Sequence, residues 1–136
     1  MKKCGKGCLI CPYIKEGNTV AGNKFTLKIN REVNCHTENV VYLIKCNKQT
    51  CKEKYIGETH KKLYDIICEH LGYIRTKKLD KSSGNHFNKP GYTMANMTVT
   101  ILEKVIKTDW LYRKEREKYL TNFFYVYYCG INLKPS

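Results

Sequence analysis

The longest uninterrupted apolar stretch, Val40-Val41-Tyr42-Leu43-Ile44, is rich in β-branched residues and predicts a strand. A polar connection over 45–51 follows, and Tyr55-Ile56-Gly57 predicts a second strand, its antiparallel neighbour through a loop of that length. In that pairing Tyr42 and Tyr55 are expected on one face with their hydroxyls close. Upstream, Phe25-Thr26-Leu27-Lys28-Ile29 alternates apolar with polar between the turn signals Gly17-Asn18 and Gly22-Asn23, which predicts a short hairpin. Downstream, Leu63, Ile66, Ile67, His70, Leu71 and Ile74 recur at steps of three and four, an amphipathic helix with Thr59 as its expected cap. Gly57 permits close approach of backbone or substrate. Residues 75–92, with Ser82-Ser83-Gly84-Asn85 and Pro90-Gly91, read as loop. Met97 to Val105 predicts a third strand, and Asp109 caps a helix running to Phe124. The expected fold is α+β: a small three-stranded antiparallel sheet flanked by helices, preceded by a cysteine-rich zinc loop.

Charge changes the picture. Twenty-five Lys and Arg stand against 12 Asp and Glu in 136 residues, a formal charge of +13. That balance favours a polyanionic partner, and nucleic acid is the natural candidate. Eleven tyrosines suit contact with bases and sugar-phosphate, although many of them must be core. No apolar run approaches the ~20 residues that span a bilayer. The basic N-terminus, MKKCGKGC, lacks the apolar core of a signal peptide. The expectation is a soluble chain without membrane contact, in the reducing interior of a cell, nuclear or cytoplasmic.

Eight cysteines in such a compartment favour metal ligation over disulfides. Cys4-x3-Cys8-x2-Cys11, with Gly5 and Gly7 between the first two thiols, is a loop that can fold back on one ion. Cys35 is the next cysteine and the expected fourth zinc ligand, with His36 beside it as a substitute. A strand over 40–46, rising ~3.3 Å per residue, keeps Cys35 and Cys46 about 20 Å or more apart, so the two cannot share an ion. The site is therefore Cys4, Cys8, Cys11 and Cys35, or some of the first three with Cys46 and Cys51. The first set is preferred, and whether Cys46 and Cys51 bind metal stays open. Cys68 and Cys129 read as packed or incidental thiols.

Val40-Val41-Tyr42 and Tyr55-Ile56-Gly57 resemble the two halves of the GIY-YIG nuclease signature, with Val40 in place of the first glycine. The wider order is VVYLI, two cysteines, YIGET, an Glu-His pair, HFNKPG, VTILEKV, a Glu-Arg-Glu helix and a terminal Gly-Ile-Asn. It is similar to the endonuclease domain of Penelope-like retroelements over nearly the whole chain. The resemblance implies a cysteine-rich zinc-binding segment over 1–38 and a GIY-YIG nuclease-like domain over 39–136. It also implies a Mg²⁺-dependent DNA endonuclease that hydrolyses phosphodiesters, with a reverse transcriptase domain upstream in the parent element. By resemblance Tyr42 assists deprotonation of the water, Tyr55 and His70 orient the phosphate or relay protons, Glu117 holds magnesium and Asn132 braces the site. Of the candidates on the last helix, Arg113, Arg116 and Glu117, only the last matches the family's metal ligand. Glu115 faces elsewhere. The similar cysteine cluster ahead of Penelope-type nuclease domains also points to Cys4, Cys8, Cys11 and Cys35.

The departures are as informative. Four residues before the helix histidine, where the family has an arginine on the scissile phosphate, stands Ile66. Loss of such a donor typically costs ~2.7–4 kcal/mol of transition-state stabilisation. Tyr64 occupies a slot where relatives often carry a second arginine, and Tyr92 one where Penelope-type relatives tend to have histidine. Lys61, Lys62, Arg75, Lys77, Lys78 and His86 remain as candidate nucleic-acid contacts. A tyrosine with its ordinary pKa near ~10 is a poor base, and the positive charge of the domain is expected to lower it. Two function classes follow: an endonuclease impaired at Ile66, or a catalytically inactive, zinc-stabilised nucleic-acid-binding module. A structural metalloprotein with a basic surface is the third.

Overall fold

The continuous apolar stretch becomes the middle of a sheet. In a computed structural model that describes residues 1–22 and 26–124, β3 (Glu38–Cys46) lies between β4 (Lys54–Lys62) and β5 (Met97–Lys104), antiparallel to both. A strand paired on both edges and covered on both faces needs apolar side chains at every step. Val40 to Ile44 are accordingly all buried. The expected hairpin is present as β1 (Thr19–Ala21) and β2 (Thr26–Lys28).

One face of the sheet packs Val40, Tyr42 and Ile44 against α1 (Leu63–Arg75) and against Met1, Ile10, Ile14 and Val33 of the N-terminal segment. That segment thus shares its core with the sheet. The other face packs Val41, Leu43 and Ile56 against Leu120 and Phe124 of α3 (Trp110–Phe124). The described helices include none long and apolar enough to cross a membrane.

Two local expectations need correction. Thr59 does not cap α1: β4 continues to Lys62, Thr59 pairs with Val40, and its hydroxyl accepts the Lys61 N–H at 3.0 Å. The first helical amides are met by main chain instead, Leu63 N–H donating to the Thr37 carbonyl at 3.0 Å and Tyr64 N–H to that of Cys35 at 2.7 Å. Residues 75–92 are not loop throughout, since α2 (Ser82–His86) forms against α1. Its glycine explains the misreading. Gly84 suggests a turn, yet it sits in the helix because a Cβ there would collide with the Lys78 carbonyl. Asp109 behaves as expected, its carboxylate accepting the Leu111 N–H at 2.9 Å.

The sheet is irregular where it carries the site. Register shifts between Glu38 and Val40 against β4, and between Val41 and Tyr42 against β5. Asn39, at φ 55°, forms the first bulge, a conformation asparagine tolerates better than most residues. Its amide donates to the Val105 and Lys107 carbonyls at 2.6 and 2.9 Å, which fixes the end of β5.

Gly57 stands opposite Tyr42 in the ladder, and a Cβ on it would lie 2.5 Å from the phenol oxygen. Tyr42 is 2% exposed and has nowhere to move. Gly57→Ala is therefore expected to destabilise the fold by about 1–3 kcal/mol, the usual cost of overpacking. Urea denaturation checks this, and an unchanged midpoint would refute the placement of Tyr42 over Gly57.

Candidate functional site

The N-terminal loop folds back as its glycines allow, with Gly5 at φ 80° and Gly7 at φ 62°. Cys4, Cys8, Cys11 and Cys35 then meet with all four sulfurs within 4.8 Å of one another. From Cys11 Sγ the distances are 3.5 Å to Cys4, 3.3 Å to Cys8 and 3.7 Å to Cys35. Tetrahedral zinc with Zn–S of about 2.3 Å requires sulfurs roughly 3.8 Å apart, so the cluster is sized to hold such an ion. Burial raises the Cys11 thiol and hydrogen bonds from Cys8 and Cys4 lower it, the balance falling at about 6. Burial pushes the Cys35 thiol up.

A second group forms at the opposite end of β3. Cys46, Cys51 and His86 bring their ligand atoms within 4.8 Å, with His86 Nε2 3.6 Å from Cys51 Sγ. Tyr92 packs on the His86 ring at 4.7 Å between centroids, and Cys51 beside it raises its phenol. His86 is 2% exposed and turned to the sulfurs rather than to the surface. Cys46 and Cys51 thus gather with a histidine from α2 and with none of the N-terminal thiols. Two clusters stand where the sequence offered alternative memberships of one.

Between them lies a buried aromatic group. The Tyr42 and Tyr55 ring centroids are 6.2 Å apart, and His70 from α1 lies 6.0 and 5.4 Å from the two. Both tyrosines do share one face. Tyr42 Oη is 3.0 Å from His70 Nε2, and His70 Nδ1 is 2.8 Å from Ser83 Oγ of α2, a residue that is 0% exposed. Burial holds the His70 imidazole down at about 4, so it is neutral near pH 7. The expected depression of the Tyr42 phenol is overturned. Burial first, then Tyr55, Glu117 and Glu58, push it well above its ordinary value. The net charge of the chain is remote and solvated, whereas these neighbours are close and poorly screened.

Glu117 lies on α3 with its side chain 13% exposed, and its Oε2 is buried without a hydrogen-bond partner. Burial raises its carboxyl above the ordinary value, opposed by Lys114. Lys114 Nζ stands 3.6 Å from Glu117 and 3.9 Å from Glu58. The two arginines of this helix are engaged elsewhere. Arg113, 4% exposed, donates to Glu58 at 3.0 Å and to Asn39 Oδ1 at 2.9 Å, while Arg116 binds Glu103 through two nitrogens. Ile66 is half-buried against the core, and Tyr64 stacks on His36 at 5.5 Å. Glu115, Lys62, Arg75, Lys77 and Lys78 are exposed, and exposed Lys61 pairs with Glu69 at 3.2 Å. Asn132 and Cys129 lie outside the described residues.

Sequence reasoning missed Ser83 and Glu58. Ser83 was read as a turn signal, and only the packing of α2 on α1 brings it to His70. Glu58, beside the Tyr-Ile-Gly motif, carried no spacing that would tie it to Arg113, 55 residues away. Comparison with family models, with curated proteins and with solved structures yields no match.

Metal titration tests the clusters. Cobalt is expected to give thiolate charge-transfer absorption at two equivalents per chain. Cys51→Ser should lose one equivalent and Cys11→Ser the other with a large fall in Tm, whereas absence of the band in the wild type would refute both sites. The depression of His70 has its own consequence. Below the ordinary pKa of 6.5 the unfolded chain gains a proton that the folded chain refuses. The full contribution of this neutral, buried imidazole is therefore present above pH 6.5, and roughly 3 kcal/mol of it is lost as pH falls to about 4. Urea midpoints of the wild type and His70→Gln should diverge over that window, and parallel curves would count against it.

Proposed function

We propose that the chain is a metal-dependent DNA endonuclease domain of GIY-YIG type, derived from a Penelope-like retroelement and impaired at Ile66. The reading rests on the resemblance set out above. The observation that carries it further is the meeting of Tyr42, Tyr55 and His70 in one buried group, with Tyr42 Oη 3.0 Å from His70 Nε2. The Glu117 carboxylate supports it as well: its buried Oε2 accepts no hydrogen bond and has only the Lys114 ammonium at 3.6 Å, so it could instead serve a hard divalent cation such as Mg²⁺, which one or two carboxylates plus waters and phosphate oxygens satisfy. When bound, that cation would neutralise charge on the phosphate and make water more acidic. Glu117, with Glu58 beside it, would hold the ion and displace Lys114 from between them.

The chain's own residues then do the following. With the His70 proton on Nδ1, facing Ser83, the Tyr42 hydroxyl would donate to Nε2, which leaves a lone pair on Oη for a proton from the attacking water. As that proton arrives on Oη, the phenolic proton passes to Nε2. Burial keeps His70 neutral near pH 7, so Nε2 has a lone pair for that proton, and the same burial opposes the charged form once it is there. Tyr55 and the walls around it exclude bulk water. No guanidinium stands on this face of α1, and an isoleucine can neither donate to a phosphoryl oxygen nor offset its charge.

The second reading, a zinc-stabilised nucleic-acid-binding module without catalysis, is favoured by that same helix face, where Ile66 and the stacked Tyr64 are built into packing. Plasmid nicking with Mg²⁺ separates the two. Ile66→Arg is expected to raise nicking by about a hundred- to a thousandfold, and Ile66→Arg with Glu117→Ala to abolish the gain. If neither variant nicks while both still bind DNA, the enzyme reading fails and the binding module stands.

A further inference from the structure

The tip of the β3–β4 hairpin carries a feature that the proposed chemistry does not use. An open cleft of about 530 Å³ is lined by Lys15, Lys45, Lys48, Lys52 and Lys54, with no carboxylate among its lining residues. These lysines come from separate places. Lys15 follows the N-terminal segment, whose main chain joins the edge of β5 through its N–H to the Val99 carbonyl at 2.9 Å. Lys45 and Lys54 are direct cross-strand partners of β3 and β4, and Lys48 and Lys52 belong to the turn between them.

A lysine placed opposite a lysine weakens a sheet, since like charges in that position repel. Elsewhere cations meet carboxylates: the ion pairs of the described residues engage Lys61, Arg113, Lys114 and Arg116. None of them reaches Lys15, Lys45, Lys48 or Lys52. Lys48 rests over the Tyr92 ring at 4.6 Å, which steadies its stem without cancelling its charge. The turn itself is firmly held, with Asn47 N–H on the Asn96 carbonyl at 2.8 Å and Cys51 N–H on that of Lys48 at 3.0 Å. A held frame therefore keeps Lys15, Lys45, Lys48 and Lys52, which no ion pair among the described residues reaches, around one concavity.

We propose that this cleft is a phosphate-backbone anchor for nucleic acid, separate from the Tyr42–His70 group. Lys45 is three residues beyond Tyr42 on β3, about 10 Å along the strand and on the opposite face. Lysine ammoniums act as point charges on flexible stems, suited to following a phosphodiester chain and carrying little base information. The anchor extends the reading of the chain as a nucleic-acid protein and does not depend on hydrolysis.

The test is fluorescence anisotropy of a labelled duplex DNA bound by the full chain across a salt series. Lys45→Gln with Lys52→Gln is compared with the charge-matched double Lys3→Gln with Lys118→Gln, both of whose sites are exposed and outside the cleft. The cleft double should weaken binding at least tenfold and flatten the slope of log K against log salt by about 1.8, the loss of two phosphate contacts. The control should change little. Lys45→Gln alone should leave Tm unchanged, because no ion pair among the described residues engages its side chain. Equal weakening in both doubles, or no DNA binding by the wild type, overturns the anchor, as does competition by polyglutamate as effective as unlabelled DNA. Binding is read here without cleavage, so a failure of Ile66→Arg to nick leaves the anchor standing and a failure of the anchor leaves the nuclease reading standing.

Discussion

Cys35 joins the metal loop to the candidate catalytic helix. Its sulfur is one of the four that gather at the N-terminus, and its carbonyl receives the Tyr64 N–H at 2.7 Å, with Thr37 receiving that of Leu63. Helices begin with unsatisfied amides that something must meet, and α1 has no side-chain cap. A metal ion gripping Cys35 would fix the loop over 35–37, and that loop fixes where α1 starts. His70 lies two turns on, so the direction of its imbuing contact with Tyr42 is set from the cysteine cluster. Metal binding energy in small domains is folding energy. Here it would also be positional energy for an imidazole that has to meet a phenol across the sheet.

The opposite face is held by charge. Arg113 is buried and reaches Glu58 on β4, Asn39 in the bulge of β3 and the Thr108 carbonyl before its own helix. A buried pair of this kind gains little net stability over apolar packing, but removing one partner typically costs 3–5 kcal/mol because the other charge is left stranded. The network therefore specifies position more than it stabilises. It seats α3 at the edge strand β4, which is how Glu117 comes close enough for its charge to bear on Tyr42. With a bulge on each side of β3, the sheet bends just where Tyr42 sits.

The sequence made some of this legible and concealed the rest for identifiable reasons. Strands, helices and the sharing of one face by Tyr42 and Tyr55 follow from periodicity, which is local. Strand length, again a local quantity, showed that Cys35 and Cys46 cannot share an ion, and the preference for Cys4, Cys8, Cys11 and Cys35 over a set with Cys46 and Cys51 leaned on the resemblance as well. The partner of Cys46 and Cys51 did not, because His86 reaches them only through a short helix hidden behind a turn-like Ser-Ser-Gly-Asn sequence. Thr59 misled because a capping residue and a strand residue look alike until the main chain of 35–37 is known to occupy the helix start. The Tyr42 phenol misled because a formal charge of +13 describes the surface, whereas a buried hydroxyl answers to the few groups it touches.

That last contrast bears on how such a site would work. At rest burial works against charge in each of three groups: a phenol raised, an imidazole lowered to about 4, and a carboxyl raised above its usual range. All three shifts have burial as their largest cause, and burial penalises whichever form is charged. A cation arriving at Glu117 and Glu58 would act against two of them together. It would favour the Glu117 carboxylate directly, and it would also offset the negative charges that raise Tyr42. The imidazole, whose Nε2 lies 3.0 Å from the Tyr42 hydroxyl, would then receive a proton from a phenol easier to ionise. Arginine at the position of Ile66 would add a second positive charge to that interior, and without it the burden would fall on the cation alone.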